Sequence, residues 1–343
     1  MRFPILPGTT RSWSGKAVAV GFFLFGLVSA APAAPLDELR ALTQLPSLDL
    51  AALKRGNIVS ERGPLGDFAR GIHIESVYFI HALMDEVGTG LLRWNPLQHG
   101  NTAVSAYRAY ELPAAADVFR TLNLESFSPD DQWLIEQTAQ AARRGSSAEL
   151  HLTSEEIALL QQKSNSPSEA WQEILRRRSE ALMQGGLPGV PPYSDDKAIS
   201  PATELRGLLS LAPKAASHFE SLTQAKPLLG KGKAAKDAVA YWEAQRVRDH
   251  NTLQLGLRTA LRGSGSWQLL DCAYYPSDTY FMALDMFQLW PVDGGTLVWQ
   301  VSYVSAPFRS YLGGADRYVA GKLMSAEVLT TIKAYRAGLE KPH

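Results

Sequence analysis

Cysteine is nearly absent from this chain of 343 residues, in which Cys272 is the only one. A single cysteine cannot form an internal disulfide, so a fold held together by disulfides is excluded and the protein must rely on its apolar core. Cys272 lies inside a predicted strand, and there a small buried side chain is favoured over a nucleophile.

An excess of charge of either sign is also absent, because 34 Lys and Arg residues balance 34 Asp and Glu residues. The neutral balance gives the chain no overall attraction to nucleic acid, and we expect no nucleic-acid partner. Four lysines in a Gly-Lys loop can make transient contact with anionic membrane head groups, although a solvated loop is the favoured interpretation. These are Lys226, Lys231, Lys233 and Lys236.

Complete catalytic or metal-binding motifs are missing as well. Lys231 follows a glycine, but Gly232 stands where a phosphate loop needs Ser or Thr. The segment 263–266 alternates Gly and Ser, which predicts a hairpin turn rather than a nucleophile elbow. His73, Glu75 and His81 share one face of a predicted strand, but no second cluster completes a metal site. We therefore predict no metal, no cofactor and no identifiable catalytic residue, and a non-enzymatic function is favoured.

Long apolar runs are confined to the N-terminus. Residues 1–34 combine a basic start with an apolar run, Ala17–Ala30, which at 14 residues is too short to span a membrane comfortably. Small residues follow it at suitable cleavage positions. This pattern predicts a secretory signal peptide and a periplasmic or secreted location, with an uncleaved anchor as the alternative.

The stretch from residue 252 to residue 340 predicts an antiparallel meander followed by a helix. Trp267–Tyr275, Tyr280–Trp290 and Thr296–Val304 are apolar or alternating runs separated by turns rich in Gly and Pro, which is typical of strands. From about Asp316 apolar residues recur every three or four positions, which predicts one amphipathic helix that packs on the meander. Its apolar face consists of Met324, Val328, Ile332, Tyr335 and Leu339.

The middle of the chain, about residues 113–236, predicts a mostly helical insertion between strands. Ile72–His81 and Thr102–Tyr110 precede it as predicted strands, and Leu253–Leu261 follows it. Four helix starts are indicated by capping boxes or by a proline in the first turn. These are Ser128–Asp131, Thr153–Glu156, Ser166–Glu169 and Ser200-Pro201.

Aromatic residues are concentrated in the meander, since 12 of the 32 in the chain lie between Trp267 and Tyr318. Such a sheet forms either a thick core, which is the favoured interpretation, or the wall of a cavity. The cavity interpretation gains support from polar residues interleaved with the aromatics, namely Asp271, Asp285, Gln288 and Gln300. The residues predicted to line a ligand space share one face of neighbouring strands: Met282, Leu284, Met286, Leu297, Trp299, Val301 and Tyr303.

Two regions of the chain resemble known proteins. The order of a strand (Ile72–Ile80), a turn at Ala82, a helix (about Asp85–Trp94), a late meander and a long last helix resembles the helix-grip fold of START-like lipid-transfer and polyketide-cyclase-like proteins. Gly71–Tyr78 and Tyr274–Ser277, with the Gly313-Gly314 break, are similar to secreted bacterial proteins of unknown function. The resemblance implies a curved sheet wrapped round the last helix and enclosing an apolar tunnel.

These features predict one α+β domain over residues 35–343, in which a curved antiparallel sheet packs on a long C-terminal helix and carries a mostly helical insertion. The expected function is an exported binding or carrier protein for an apolar small molecule or lipid. Two alternatives stay open: an enzyme of the cell envelope whose site is assembled from distant residues, and a structural envelope protein without a ligand.

Overall fold

An antiparallel sheet of eight strands occupies the centre of the protein. The computed structural model describes residues 35–99, 103–115, 117–127, 132–195, 198–230, 237–247, 249–308 and 315–340. The predicted fold class is confirmed: the sheet is curved and open, and it combines with a C-terminal helix and further helical segments. The strands are β1 (Val59–Arg62), β2 (Gly71–Ile80), β3 (Val104–Tyr110), β4 (Asp237–Val247), β5 (His250–Arg262), β6 (Trp267–Pro276), β7 (Met282–Val292) and β8 (Gly295–Ser305).

The strand order places the first long strand beside the last one. The order is β1-β2-β8-β7-β6-β5-β4-β3, so β1 and β3 form the edges. β2 pairs with β8 along its whole length, from Gly71 opposite Ser305 to Ile80 opposite Thr296. β5 to β8 form the predicted meander, and the β7–β8 turn has Gly294 at φ 84°, a left-handed conformation that glycine adopts without strain.

Ten α-helices surround the sheet in the described part of the chain. α4 to α9 all lie between β3 and β4 in sequence, and short 3-10 turns accompany them. The helices are α1 (Pro35–Leu42), α2 (Leu50–Lys54), α3 (Met84–Leu92), α4 (Trp133–Arg144), α5 (Ser154–Gln162), α6 (Pro167–Gly185), α7 (Pro201–Leu209), α8 (Pro213–His218), α9 (Glu220–Thr223) and α10 (Ala315–Leu339).

The predicted helix starts are confirmed at three positions, and the capping box is wrong at one of them. Thr153 begins α5 with a complete capping box, and Ser200 begins α7 with another. Ser166 precedes α6 but makes no capping hydrogen bond. The capping box predicted there is wrong because its second member, Glu169, accepts from the Lys163 ammonium, and the Ser166 backbone N–H donates to the Lys163 carbonyl instead of to Glu169.

The two faces of the sheet pack against different helices. One face, called here the inserted-helix face, packs on α1, α2 and the helices between β3 and β4 in a large apolar core. The opposite face, called here the α10 face, packs on α3 and α10 in a second core. Because both faces are covered, β2 is buried at all of its positions, which is unusual for an antiparallel strand.

The predicted apolar face of α10 is confirmed. Val328, Ile332 and Tyr335 are buried in the core of the α10 face, and Met324 and Leu339 pack against it. The off-face residues Lys322, Glu327 and Lys333 are exposed.

Some predictions fall outside the described residues. These are the signal peptide at residues 1–34, the Gly313-Gly314 break, the helix start at Ser128–Asp131 and most of the Gly-Lys loop. Lys226, the lysine of that loop in the described part, is exposed. None of the described helices is long and apolar enough to cross a membrane.

Candidate functional site

The residues predicted to line a ligand space lie together in the packed layer on the inserted-helix face. Each is at most 1% exposed. Leu284 lies beside Tyr303 in the register, and the Trp299 ring centroid lies 5.6 Å from that of Phe219 in the helical layer. The surface that they form faces away from α10. The resemblance implied a tunnel between the sheet and this last helix, so these residues do not line such a tunnel. The set is Met282, Leu284, Met286, Leu297, Trp299, Val301 and Tyr303.

A row of polar side chains crosses the α10 face at the middle of the sheet. Ser302 on β8 is opposite Asp285 on β7, Asp285 is opposite Asp271 on β6, and Asp271 is opposite Arg258 on β5. We call these four residues the polar row. Like charges directly opposite on neighbouring strands destabilise a sheet, so the two aspartates need compensating partners.

Asp271 is compensated by a guanidinium and a phenol. The Arg258 Nε donates to Asp271 Oδ2 at 2.6 Å, and the Tyr241 hydroxyl donates to Oδ1 at 2.8 Å. Arg258 also donates to the Trp94 carbonyl and, at 3.0 Å, to the Tyr107 hydroxyl. The Arg258–Asp271 pair is therefore fixed in position by groups from three different parts of the chain.

The donors to Asp285 in the described part of the chain are neutral. The Gln300 Nε2 donates to Asp285 Oδ1 at 3.0 Å, the Ser302 hydroxyl donates to the same oxygen, and the Tyr78 hydroxyl donates to Gln300 Oε1 at 3.0 Å. Burial raises the pKa of Asp285 to about 6, although the hydrogen bonds from Ser302 and Gln300 act in the opposite direction. The nearby Asp271 charge adds to the increase. Asp285 is therefore a carboxyl group that exchanges its proton near neutral pH.

A third carboxyl group lies further along the same face. Glu243 on β4 accepts from the Gln254 Nε2, and Gln254 in turn accepts from the Tyr280 hydroxyl. Burial raises the pKa of Glu243 to about 7. Clusters of buried titratable groups with altered pKa values are concentrated at functional sites, so this face is the leading candidate.

A small cavity lies between the polar row and the helices that cover it. Its volume is about 10 Å³, which is enough for about one water molecule. The sheet face beside the row carries Ala273 opposite Ala283, and Ala283, Asp271 and Asp285 are partly exposed. The lining combines apolar and polar groups: Leu91, Leu92, Arg258, Leu269, Leu270, Asp271, Phe287 and Tyr335.

The sequence identified part of this site. Asp271, Asp285 and Gln300, three of the four interleaved polar residues, lie on the α10 face. Gln288 lies on the inserted-helix face, where its Oε1 is 2.7 Å from the Nε2 of His218. The sequence analysis missed Arg258, Tyr241 and Glu243. The sequence feature that could have indicated them is their position among the alternating residues of β4 and β5.

The weaker candidates from the sequence do not form catalytic or metal sites. His73 and Glu75 are buried, whereas His81 is exposed and its Nε2 lies 2.9 Å from the Lys54 carbonyl oxygen. The described residues contain no group of three His, Cys, Asp or Glu side chains that could hold a metal ion. Cys272 is buried, and burial raises the pKa of its thiol, so it is not an activated nucleophile. Segment 263–266 is a hairpin turn, as predicted, with the Gly263 N–H donating to the Ser266 carbonyl at 2.8 Å.

Comparison with protein-family models and with curated proteins finds no match to this chain. Function must therefore be inferred from the geometry of the site.

Proposed function

We propose that the protein is an exported binding or carrier protein whose apolar or lipid-like ligand sits on the α10 face with its polar end at the polar row. The observation that carries this proposal is the polar row itself, a set of charged and titratable side chains enclosed by apolar walls. Ligand sites in proteins combine a mostly apolar lining with a few polar groups that orient the ligand. Export rests on the predicted signal peptide.

The walls of the site favour a ligand that is mainly apolar. Leu91 and Leu92 of α3 and Phe287 of β7 face the cavity, and Tyr335 of α10 closes it. The polar groups are few and lie in one row across the strands. A molecule with a long apolar part and a single polar end matches this distribution, whereas a polar ligand of the same size would leave its own groups without partners.

Ligand entry requires part of the cover to move, because the present cavity holds only about one water molecule. The Trp94 ring stacks on His99 at a centroid distance of 3.8 Å and meets the Tyr335 ring edge-on at 4.8 Å. Tyr335 lines the cavity, and the other two rings pack against it in turn. We expect them to separate when the ligand enters.

Steric filling of the site tests the proposal. Ala283→Phe adds a large side chain beside the polar row, and Ala326→Phe adds the same side chain on the exposed side of α10. Titration of delipidated protein with an environment-sensitive dye such as Nile red should give saturable binding to the wild type and to Ala326→Phe. Ala283→Phe should bind at least about tenfold more weakly, because its phenyl ring takes the place of part of the dye. The dye then loses an apolar contact area about the size of that ring, and this loss exceeds about 1.4 kcal/mol.

Two outcomes contradict the proposal: no saturable binding by the delipidated wild type, or equal affinity of the wild type and Ala283→Phe. Native mass spectrometry of protein from its own cell envelope provides a separate check, because a carrier should retain part of its ligand.

Catalysis is the second candidate function, and one observation favours it. Asp271 and Asp285 face each other on neighbouring strands, and only Asp271 is paired with a cation. Two carboxyl groups in different environments can divide the roles of base and acid. Turnover of a generic ester such as p-nitrophenyl butyrate that is lost in Asp285→Asn would favour an enzyme over a carrier.

A further inference from the structure

Several buried polar side chains on the inserted-helix face have an atom without a hydrogen-bond partner among the described residues, and three such atoms belong to neighbouring residues of β2 and β8. These atoms are the His73 Nδ1, the Tyr303 hydroxyl and the Ser305 Oγ. The three residues are 3%, 1% and 0% exposed, respectively. His73 and Tyr303 are opposite each other on β2 and β8, their ring centroids are 5.6 Å apart, and Ser305 is the next residue of β8 on the same face. We call these three residues the His73 patch.

The unpartnered atoms of the His73 patch are costly to the folded state. A buried polar group without a partner costs about 1–3 kcal/mol, so three of them cost several kcal/mol in total. Apolar side chains of similar shape would avoid that cost. Buried groups of this kind call for a partner from outside the chain.

The electrostatics of the His73 patch favour an uncharged partner. Burial lowers the pKa of His73 to about 4, so its imidazole is neutral at pH 7. Glu75 lies two residues along β2 and accepts from the Thr43 hydroxyl at 2.5 Å. A carboxylate there repels an anionic ligand, and the patch itself contains no charged group to pair with a buried ion. Hydroxyl groups suit the patch because they both donate and accept, as its own groups do.

The surroundings of the His73 patch are apolar on one side. In the register Tyr303 lies beside Leu284 and Ser305 lies beside Met282, both of which belong to the apolar set predicted to contact a ligand. On the other side the backbone closes tightly, since a Cβ at Gly63 would lie 1.8 Å from the His73 Nε2. The segments nearest the patch, around Thr43 and Gly63, are neither helix nor strand.

We propose that the His73 patch binds the hydroxyl group of an uncharged ligand, either a free polyol or a hydroxylated lipid, at a site separate from the α10 face. The site is buried in the closed structure, and entry requires the non-helical segments near Thr43 and Gly63 to move. The proposal does not depend on the function proposed for the α10 face.

Ligands that differ only in their polar end test this proposal. The probes are 1-octanol, octylammonium and octanoate, with glycerol as the free polyol, each titrated against the full-length folded protein by calorimetry. We expect 1-octanol or glycerol to bind at least about tenfold more tightly than the charged probes, because a charge buried here has no full partner. Binding of glycerol would identify a polyol site, and binding of 1-octanol alone would identify a lipid site.

Two conservative variants and one control locate the binding. Tyr303→Phe and Ser305→Ala each remove one hydroxyl group and should weaken alcohol binding about 3- to 10-fold, as the loss of one hydrogen bond does. Ala326→Phe, on the exposed side of α10, is the control and should bind the alcohol like the wild type. If Ala283→Phe removes the binding and Tyr303→Phe does not, the alcohol occupies the α10 face and the proposal is overturned.

The remaining outcomes also decide the question. Equal binding of all three octyl probes would overturn the choice of an uncharged ligand. Absence of binding, together with unchanged or higher stability of Tyr303→Phe, would mean that the patch holds ordered water only, and this too would overturn the proposal. Neither result bears on dye binding at the α10 face.

Discussion

Helix α10 should depend for its stability on Ile332, which is fully buried against the sheet. Ile332→Ala removes three carbon atoms, and at about 0.8 kcal/mol per buried methylene the lost transfer energy is about 2.4 kcal/mol. The cavity that remains adds to this loss, and substitutions of this type cost about 2–5 kcal/mol in total.

The upper half of that range is expected, because α10 cannot easily shift to fill the cavity. The Arg336 Nε donates to the Phe79 carbonyl at 2.9 Å, and the Arg317 guanidinium donates to the Gly71 carbonyl at 2.6 Å near the other end of the helix. Both ends are therefore attached to β2.

Urea denaturation measures this effect, since the midpoint changes in proportion to stability when the slope is constant. Lys333→Ala is the control, because Lys333 is the next residue and is exposed. It should change the free energy of unfolding by less than about 0.5 kcal/mol. Equal and small effects of the two substitutions would show that α10 is peripheral and would refute the described packing.

Three further predictions concern the layers on either side of the sheet. Trp299→Ala should cost about 3–5 kcal/mol in urea denaturation, because it opens a cavity beside Phe219; a loss below about 1 kcal/mol would indicate a loosely filled layer instead. Arg178→Ala should cost about 3–5 kcal/mol because it leaves the buried Glu156, now 2.6 Å from Arg178, without its charge partner, and Lys163→Ala at an exposed pair is the control. Burial raises the pKa of Asp285 to about 6, above its value of about 3.9 in the unfolded chain, so the native state binds this proton more tightly. The stability of the wild type relative to Asp285→Asn should therefore rise as the pH falls from 7 towards 4, and parallel pH profiles of the two proteins would contradict the assignment.

The strands and the last helix could be predicted because their patterns are local. Thr296–Val304 alternates with period 2, and β8 covers these residues; Ile332 and its neighbours recur with the helical period, and α10 follows them. The capping box at Ser166 failed for a different reason. Glu169 and the Ser166 backbone N–H both bind Lys163, a residue that lies outside the four-residue motif.

The assignment of faces could not be predicted. β2 is buried at every position, including His73 and Glu75, so its polar side chains do not mark a solvent face. Whether Trp299 faces α10 or the inserted helices then depends on how the insertion folds back on the sheet. Arg258 was missed for a related reason, because its pairing with Asp271 depends on the register of two strands and on the β-bulge near Gly256.

The two candidate sites differ in how their polar groups are satisfied, and this difference affects how each would bind. On the α10 face Asp271 already has Arg258 and Tyr241 as partners, so a ligand there must compete with existing hydrogen bonds. Its affinity must come mainly from burial of apolar surface, which produces a negative heat-capacity change. In the His73 patch the Tyr303 hydroxyl has no partner among the described residues, so a hydroxyl ligand gains hydrogen bonds without breaking any that the structure describes. Binding at the patch should therefore be driven by enthalpy, and calorimetry at several temperatures would separate the two sites even for a ligand that occupies both.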